Sequence, residues 1–318
     1  MEGIYSFTGN YGWAVALFTL LVRLVVLPLD YKSRQSMRAM SRVQPQMQEL
    51  QRKYGDDQEK LNKKMSALYK QEHVNPLMGC LPLIIQLVIM IFMFTAMRNI
   101  ANAETGKMIV NLFNELIEKG ADGVAKLNPQ SFLWIKNIFQ PDTLGSTILP
   151  SYDTALQMIK TAKIDFVAPE NLRSIYEAYL NTHYGVSQFM TIRVVLFNVT
   201  VPTTLTALTT YANGLFILPV FSCLSQVLMT KITAAQNPQP VSNDPNQPAN
   251  MMNSGMMKWF FPLFTLYICS TQSAAFSVYW AVANIIAIVQ QFAITKYLEK
   301  QDAKLAAKAA AEADEETL

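Results

Sequence analysis

Uncharged apolar runs alternate with polar segments along the chain, and the run lengths set the elements they predict. Tyr11 to Leu29, YGWAVALFTLLVRLVVLPL, holds a single charge, Arg23. At about 1.5 Å per residue it is just long enough to cross a hydrocarbon core of about 30 Å. Pro28 is expected to end that helix, because proline inside a helix forfeits a hydrogen bond. Residues 31–75 change character, with ten Lys/Arg against five Asp/Glu. Met37, Met40, Val43, Met47 and Leu50 recur at helical steps, and Leu61, Met65, Leu68 and Tyr69 do so after the turn signal Tyr54-Gly55-Asp56-Asp57. This predicts a helical hairpin with a Met-rich stripe and a basic outer surface. Asn75-Pro76 opens a second span, uncharged from Leu77 to Met97.

From Asn99 to Ile192 the chain is amphiphilic, with seven basic and nine acidic residues. Helical patterns fall near 108–119, 152–163 and 170–181, and Ser131–Phe139 is placed at an interface through Trp134. The uncharged run Val194–Thr230 is too long for one span. Its first half is rich in threonine and β-branched residues and is assigned outside the membrane, and a third span is placed over about 212–230. Residues 234–256, rich in Pro, Asn and Gln, predict a loop. Trp259–Thr295 as one helix would be roughly 55 Å long, so it must be two spans turning near Cys269–Ala275. The basic 31–75 segment fixes the orientation by the positive-inside rule. The N-terminus is then outside and the C-terminus cytoplasmic.

The expected fold is an all-α polytopic membrane protein with five transmembrane helices, a cytoplasmic helical hairpin and an extracytoplasmic insert. Its parts are a lead and first span over 1–30, the hairpin over 31–76 and a second span over 77–98. An extracytoplasmic segment over 99–211, a third span over 212–231 and a cytoplasmic loop over 232–257 follow. A tight pair of spans over 258–296 and a cytoplasmic tail over 297–318 complete it.

Composition agrees: 51% of the 318 residues are hydrophobic and only 15% are charged, too apolar for an ordinary soluble domain. Cys80, Cys223 and Cys269 lie in apolar runs without CxxC spacing and read as small buried residues. His73 and His183 stand in separate polar loops, which argues against a metal site. The N-terminus shows neither a secretory cleavage pattern nor an Arg-rich transit peptide, so the first span is expected to be retained and import into an organelle is disfavoured.

Arg23 carries the chemistry. A guanidinium inside a span costs at least about 2.5–3.5 kcal/mol and normally has a partner or a function. It lies six residues from Leu29, within snorkelling reach. Helical side chains, however, lean toward their own N-terminus, back into the membrane and toward Thr19. That places Arg23 in a polar intramembrane cavity, with snorkelling as the competing reading. Gln86 can bond a neighbouring helix or line a cavity, and Ser222, Ser225 and Gln226 give the third span a polar side. The hairpin methionines Met37, Met40, Met47 and Met65 can pack on each other or receive varied apolar clients. No phosphate loop, dinucleotide fingerprint, zinc-protease motif or nucleophile elbow is present. No carboxylate lies in any of the five expected spans, and no His or Lys stands there to activate a hydroxyl. The protein is therefore expected not to be an enzyme and to need no cofactor.

The co-occurrence of Asn10-Tyr-Gly-Trp13, Thr19-Leu-Leu-Val-Arg23, Gln44-Pro45, Tyr54-Gly-Asp-Asp57, Val74-Asn-Pro76, Gly79-Cys-Leu-Pro82 with Gln86, Leu133-Trp-Ile135, Phe216-Ile-Leu-Pro219 and Tyr279-Trp280 with Asn284 and Gln290-Gln291 resembles the YidC family of membrane protein insertases. The resemblance implies a hydrophilic groove within the bilayer, open to cytoplasm and lipid, made positive by Arg23. Thr19, Gln226 and Trp280 match other groove-lining positions, and the 31–75 hairpin matches a mobile cytoplasmic element. It further implies insertion and folding of single- or few-span nascent membrane proteins without nucleotide hydrolysis, possible cooperation with the ribosome and the Sec translocon, and action as a monomer. The chain departs from the family pattern in three places. Asp142–Tyr211 has no counterpart, Thr271–Ala275 lacks the expected Pro and Gly, and the tail is not strongly basic, which weakens docking on ribosomal RNA. The form without a large periplasmic domain is expected. A transporter or channel for an anionic solute is the alternative use of Arg23, opposed by the lack of an inverted repeat. A membrane scaffold with a snorkelling Arg23 is the third.

Overall fold

The computed structural model describes residues 2–74, 81–194, 197–236 and 255–316. The chain is mostly helical, at 74%. In order, the elements are α1 (Glu2–Thr8), α2 (Tyr11–Tyr54), α3 (Gln58–Gln71), α4 (Leu81–Lys119), α5 (Tyr152–Thr161) and α6 (Leu172–Tyr184). Then come β1 (Phe189–Val194), β2 (Phe197–Pro202), a π-helical turn (Ala207–Tyr211), α7 (Ile217–Gln236), α8 (Gly255–Thr271) and α9 (Ala274–Glu316).

Among the described residues, four helices are long and apolar enough to cross a membrane: Tyr11–Tyr54, Ile84–Lys119, Ile217–Ala235 and Ala274–Leu305. Helix α8 has 17 residues, about 25 Å of rise, and is shorter than the other four. On the long helices Leu21, Leu24, Val25, Ile84, Ile91, Phe92, Leu224 and Val289 are exposed, as suits helices with hydrocarbon for solvent.

Three expectations need correction. The first helix does not stop at Pro28: α2 continues through Pro28 and Pro45 as one helix of 44 residues. Proline leaves a single carbonyl without its donor, and the intact turns on either side hold the helix through that local loss. The second helix does not stop at Arg98 either, because α4 runs on to Lys119 and absorbs the 108–119 pattern. Nor is the chain all-α. The β-branched run pairs as an antiparallel hairpin with Thr191 opposite Thr200 and Ile192 opposite Val199, and the two threonine hydroxyls lie 3.2 Å apart.

The chain divides into two compact units, the first comprising Met1–Thr19, Ile89–Leu224 and Leu263–Val282, the second Leu20–Val88, Ser225–Pro262 and Ala283–Leu318. In the first unit, the last turns of α4 meet α5 and α6 in a core that includes Leu112, Phe113, Leu116, Tyr152, Ile159 and Tyr176. This gives 142–211 a structural role. Three of its buried phenols are bonded: Tyr176 donates to Pro150 O at 2.9 Å, Tyr179 to Ala125 O at 3.0 Å and Tyr184 to Leu127 O at 2.7 Å. Ser131–Phe139 is not a surface strip. Phe132, Ile135, Ile138 and Phe139 are buried, and Gly12 lets the Phe132 ring lie directly on the start of α2, where a Cβ would overlap it.

Burial raises the Tyr176, Tyr179 and Tyr184 phenols above their ordinary range. A raised folded-state value means that the contribution to stability is complete below the unfolded value of about 10 and disappears as pH rises through the folded values. The first unit is therefore expected to hold constant stability up to about pH 10 and to lose it above. The part of the phenolate absorbance that disappears when Tyr176, Tyr179 and Tyr184 are each replaced by Phe should rise together with the loss of helicity; its rise in a fully helical chain would contradict this.

In the second unit, Asp57 caps α3 by accepting from Lys60 N at 3.0 Å, which starts the return helix of the hairpin. Val43, Met47, Leu68 and Val74 form the hairpin core, with Met40 and Met65 packed against it. Arg38 and Arg42 pair with Asp302 of α9 at 3.4 and 2.7 Å, so the segment expected as a separate tail continues α9 in helical form. Cys269 is buried and Cys223 half-buried. Cys80, Asn75-Pro76 and most of the 234–256 loop lie outside the described residues.

Candidate functional site

Arg23 lies in the N-terminal, apolar part of α2 and is only 8% exposed. Its guanidinium donates to Gln86 Oε1 of α4 at 2.9 Å. Its backbone carbonyl accepts from Gln290 Nε2 of α9 at 3.2 Å. Three helices of the second unit thus meet at one arginine, with side-chain amides supplying the polar contacts. A glutamine oxygen orients a guanidinium without neutralising it. Asp30 of the same unit also interacts electrostatically with Arg23, so the guanidinium has an amide partner and a carboxylate within electrostatic reach, and its burial strengthens its pull on an approaching anion.

The same unit extends this polar line with uncharged groups. Asn284 donates to Ser225 Oγ at 2.9 Å, and Thr233 to Gln291 Oε1 at 3.5 Å. Gln226 is half-buried, and its carbonyl accepts from the Thr230 hydroxyl at 2.9 Å. Of the residues singled out in the sequence, Arg23, Gln86 and Gln226 therefore belong to this unit. Met40, Met47 and Met65 of the hairpin are taken up by the hairpin's own packing. Met37 instead borders a cavity of about 250 Å³ with Arg34, Arg38 and Leu298.

Thr19, Ser222 and Trp280 belong to the first unit. The Thr19 hydroxyl donates to Val15 O at 2.7 Å, one turn back on its own helix, and the residue is 1% exposed. Ser222 is fully buried. Trp280 packs on Phe276, ring centroids 5.7 Å apart, and its buried indole N–H has no acceptor among the described residues.

Sequence reasoning placed Ser225 on the polar side of the third span but gave no role to Gln290 or Asn284 in this network. Their signal was present, since a lone amide or hydroxyl in an uncharged run is the same pattern that singled out Gln86. It also missed Asp142, which is fully buried. One carboxylate oxygen accepts from the amides of Leu215 and Phe216 at 2.8 and 3.2 Å, the other from Leu218 at 2.7 Å. The Trp134 indole adds a contact at 3.3 Å. A carboxylate at the start of α7 matches both the open N–H groups and the helix dipole. Among the described residues, no group of three or more His, Cys, Asp or Glu side chains is placed to hold a metal ion.

Comparison with known proteins adds a lineage. Residues 3–301 match the family model described as 60Kd inner membrane protein. A membrane protein insertase YidC of Leptospira interrogans serovar Lai is 26% identical over 310 residues, covering 97% of this chain and 34% of that protein. One of Nitratidesulfovibrio vulgaris is 38% identical over 118 residues, 37% of this chain and 22% of the relative. One of Endomicrobium trichonymphae is 45% identical over 95 residues, 30% of this chain and 18% of the relative. The chain thus spans about a third or less of the length of these relatives.

Proposed function

The chain belongs to the 60Kd inner membrane protein family, its relatives are named membrane protein insertases YidC, and from that premise we propose that it inserts single- or few-span membrane proteins into a bacterial membrane and assists their folding. The observation that carries this reading is the buried Arg23 bound to the uncharged Gln86. A client must carry a polar, often acidic, segment across about 30 Å of hydrocarbon. A fixed cation in a hydrated groove reduces the desolvation cost of that segment and attracts its carboxylates. The client's apolar segment meanwhile partitions into lipid, so no nucleotide hydrolysis and no covalent chemistry enter. The protein acts as an insertase and not as an enzyme.

In this reading Gln86 and Gln290 hold Arg23 in place. Thr19, Gln226 and Trp280 are assigned to the groove by the resemblance of their positions alone, and Ser222 by the polar side it gives the third span. Helix α8 serves as a fifth span. The basic hairpin 31–76, the 232–257 loop and the tail face the cytoplasm, while the N-terminus and 99–211 face outside. Nascent membrane proteins are the clients, a single copy suffices, and the ribosome and the Sec translocon are candidate collaborators.

The test is reconstitution in liposomes with a freshly synthesised single-span client bearing a short acidic N-terminal segment. Wild type is expected to protect that segment from added protease, and Arg23→Ala to lose most of the protection while keeping its helicity. No protection by wild type, across clients of several charges, would return the arginine to the solute-transport reading.

A further inference from the structure

The first unit holds a second polar recess, built from other residues. A cavity of about 360 Å³ opens between α4, α5, the 139–141 segment and the turn at 271–273, a volume within the range of small-ligand sites. Its donors lack partners. Arg98 is exposed and forms no ion pair or hydrogen bond among the described residues, and the side chain of Asn102, which is 8% exposed, forms none either. Gln140 is equally buried, and its Nε2 has no acceptor. An unfilled buried donor is costly until an acceptor arrives. No carboxylate lines the cavity, so its surplus of donors and its single cation call for an anion with several acceptor oxygens.

The walls narrow the choice. Phe94, Met97 and Phe276 supply an apolar side to the same cavity, with the Phe94 and Phe276 rings in edge contact at 5.9 Å. Arg98 is the first charge after the uncharged run that ends at Met97, so a membrane-spanning α4 brings it to the level of lipid headgroups. A phosphate joined to a glycerol and acyl chains fits a site that is cationic on one side and apolar on the other. We propose that this cavity binds the phosphodiester headgroup of a bilayer phospholipid, with Arg98, Asn102 and Gln140 donating to its oxygens. The proposal rests on reading α4 as membrane-spanning, and it is separable from client insertion through Arg23.

The test uses the purified full chain, stripped of lipid in detergent and titrated with phosphatidylglycerol, with bound lipid counted by native mass spectrometry. Diacylglycerol with the same acyl chains, inorganic phosphate and an acidic peptide serve as comparisons. Wild type should retain phosphatidylglycerol at least about tenfold more tightly than Arg98→Gln, the equivalent of one lost charge-assisted hydrogen bond. Gln140→Met should fall in the same direction by a smaller factor, and Arg23→Ala should bind as wild type does. Unchanged melting of both cavity variants in lipid-free detergent would confirm that they fold. Equal retention by wild type and both cavity variants, or equal retention of diacylglycerol, would overturn the proposal. Displacement by millimolar inorganic phosphate would assign the site to the free anion, and displacement by the peptide to a client; either overturns the lipid.

Discussion

Asp142→Ala is expected to be the most destabilising single substitution outside the apolar core. The carboxylate accepts three backbone N–H groups at the start of α7, at 2.7–3.2 Å, from full burial. Removing it leaves those groups dry and unpaired, a loss of about 3–5 kcal/mol by comparison with other broken buried charge networks. Gly214→Ala should reproduce the effect from the other side. A Cβ there would overlap Asp142 Oδ1 and stand 2.8 Å from the Asp142 Cα, so rotating the carboxylate away does not relieve it. Because both changes break one arrangement, the double variant should be little worse than either single one. Thermal melting in detergent and amide exchange at Leu215, Phe216 and Leu218 provide the measurements. A melting shift below about 2 °C in Asp142→Ala, about 1 kcal/mol for a chain of this size, would mean that the cap is not what holds α7.

The same latch shows where sequence reading stops. Asn213 stands beside Gly214 and donates to the carbonyls of Asn137 and Pro141, each at 3.0 Å, while its own Oδ1 accepts from Asn137 N at 2.7 Å. These partners lie more than seventy residues apart, and nothing local marks them. The Thr271–Ala275 turn makes the point again. It lacks the Pro and Gly that a self-sufficient turn uses, because its amides are satisfied from elsewhere: Ala274 N donates to Gln140 O and Ala275 N to Ile138 O, both at 2.9 Å. A turn with distant acceptors needs no special backbone of its own.

What was legible followed from constraints that act along the chain. Hydrocarbon imposes a minimum apolar length on any span, so Tyr11–Leu29 and the split of Trp259–Thr295 could be read by length and charge. The helical periods of 152–163 and 170–181 announced α5 and α6, but not that the end of α4 would supply the rest of their core. Pro28 misled because a one-bond loss was weighed without the helix around it. The β-hairpin was visible only as a bias toward β-branched residues, since its run carries no Asn-Gly or Asp-Gly turn signal. Arg23 was conspicuous because lipid makes an isolated charge expensive. Its carbonyl's bond to Gln290 was not, because 267 residues separate them.

Insertion should depend on the product of two charges, that of Arg23 and that of the client segment. Two unit charges about 4 Å apart in a medium of effective dielectric about 20 interact by roughly 4 kcal/mol, against roughly 1 kcal/mol in water. For a client with an acidic segment, Arg23→Ala is therefore expected to lower the rate of protection by well over tenfold, and Arg23→Glu by more. A client whose segment is uncharged should lose much less in both variants. Arg23→Lys separates charge from shape: it keeps the cation but not the planar fork that meets Gln86 at 2.9 Å. If the groove works as a fixed cation, Lys should retain most of the activity, and Gln86→Leu should cost a few-fold at most by leaving the guanidinium less well held. If Lys is as inactive as Ala while Gln86→Leu is equally damaging, the arginine acts by holding α2, α4 and α9 together, and charge is incidental. The client series decides between them, because a purely structural arginine would make every client suffer alike, whereas an electrostatic one makes the loss rise with each carboxylate the segment carries.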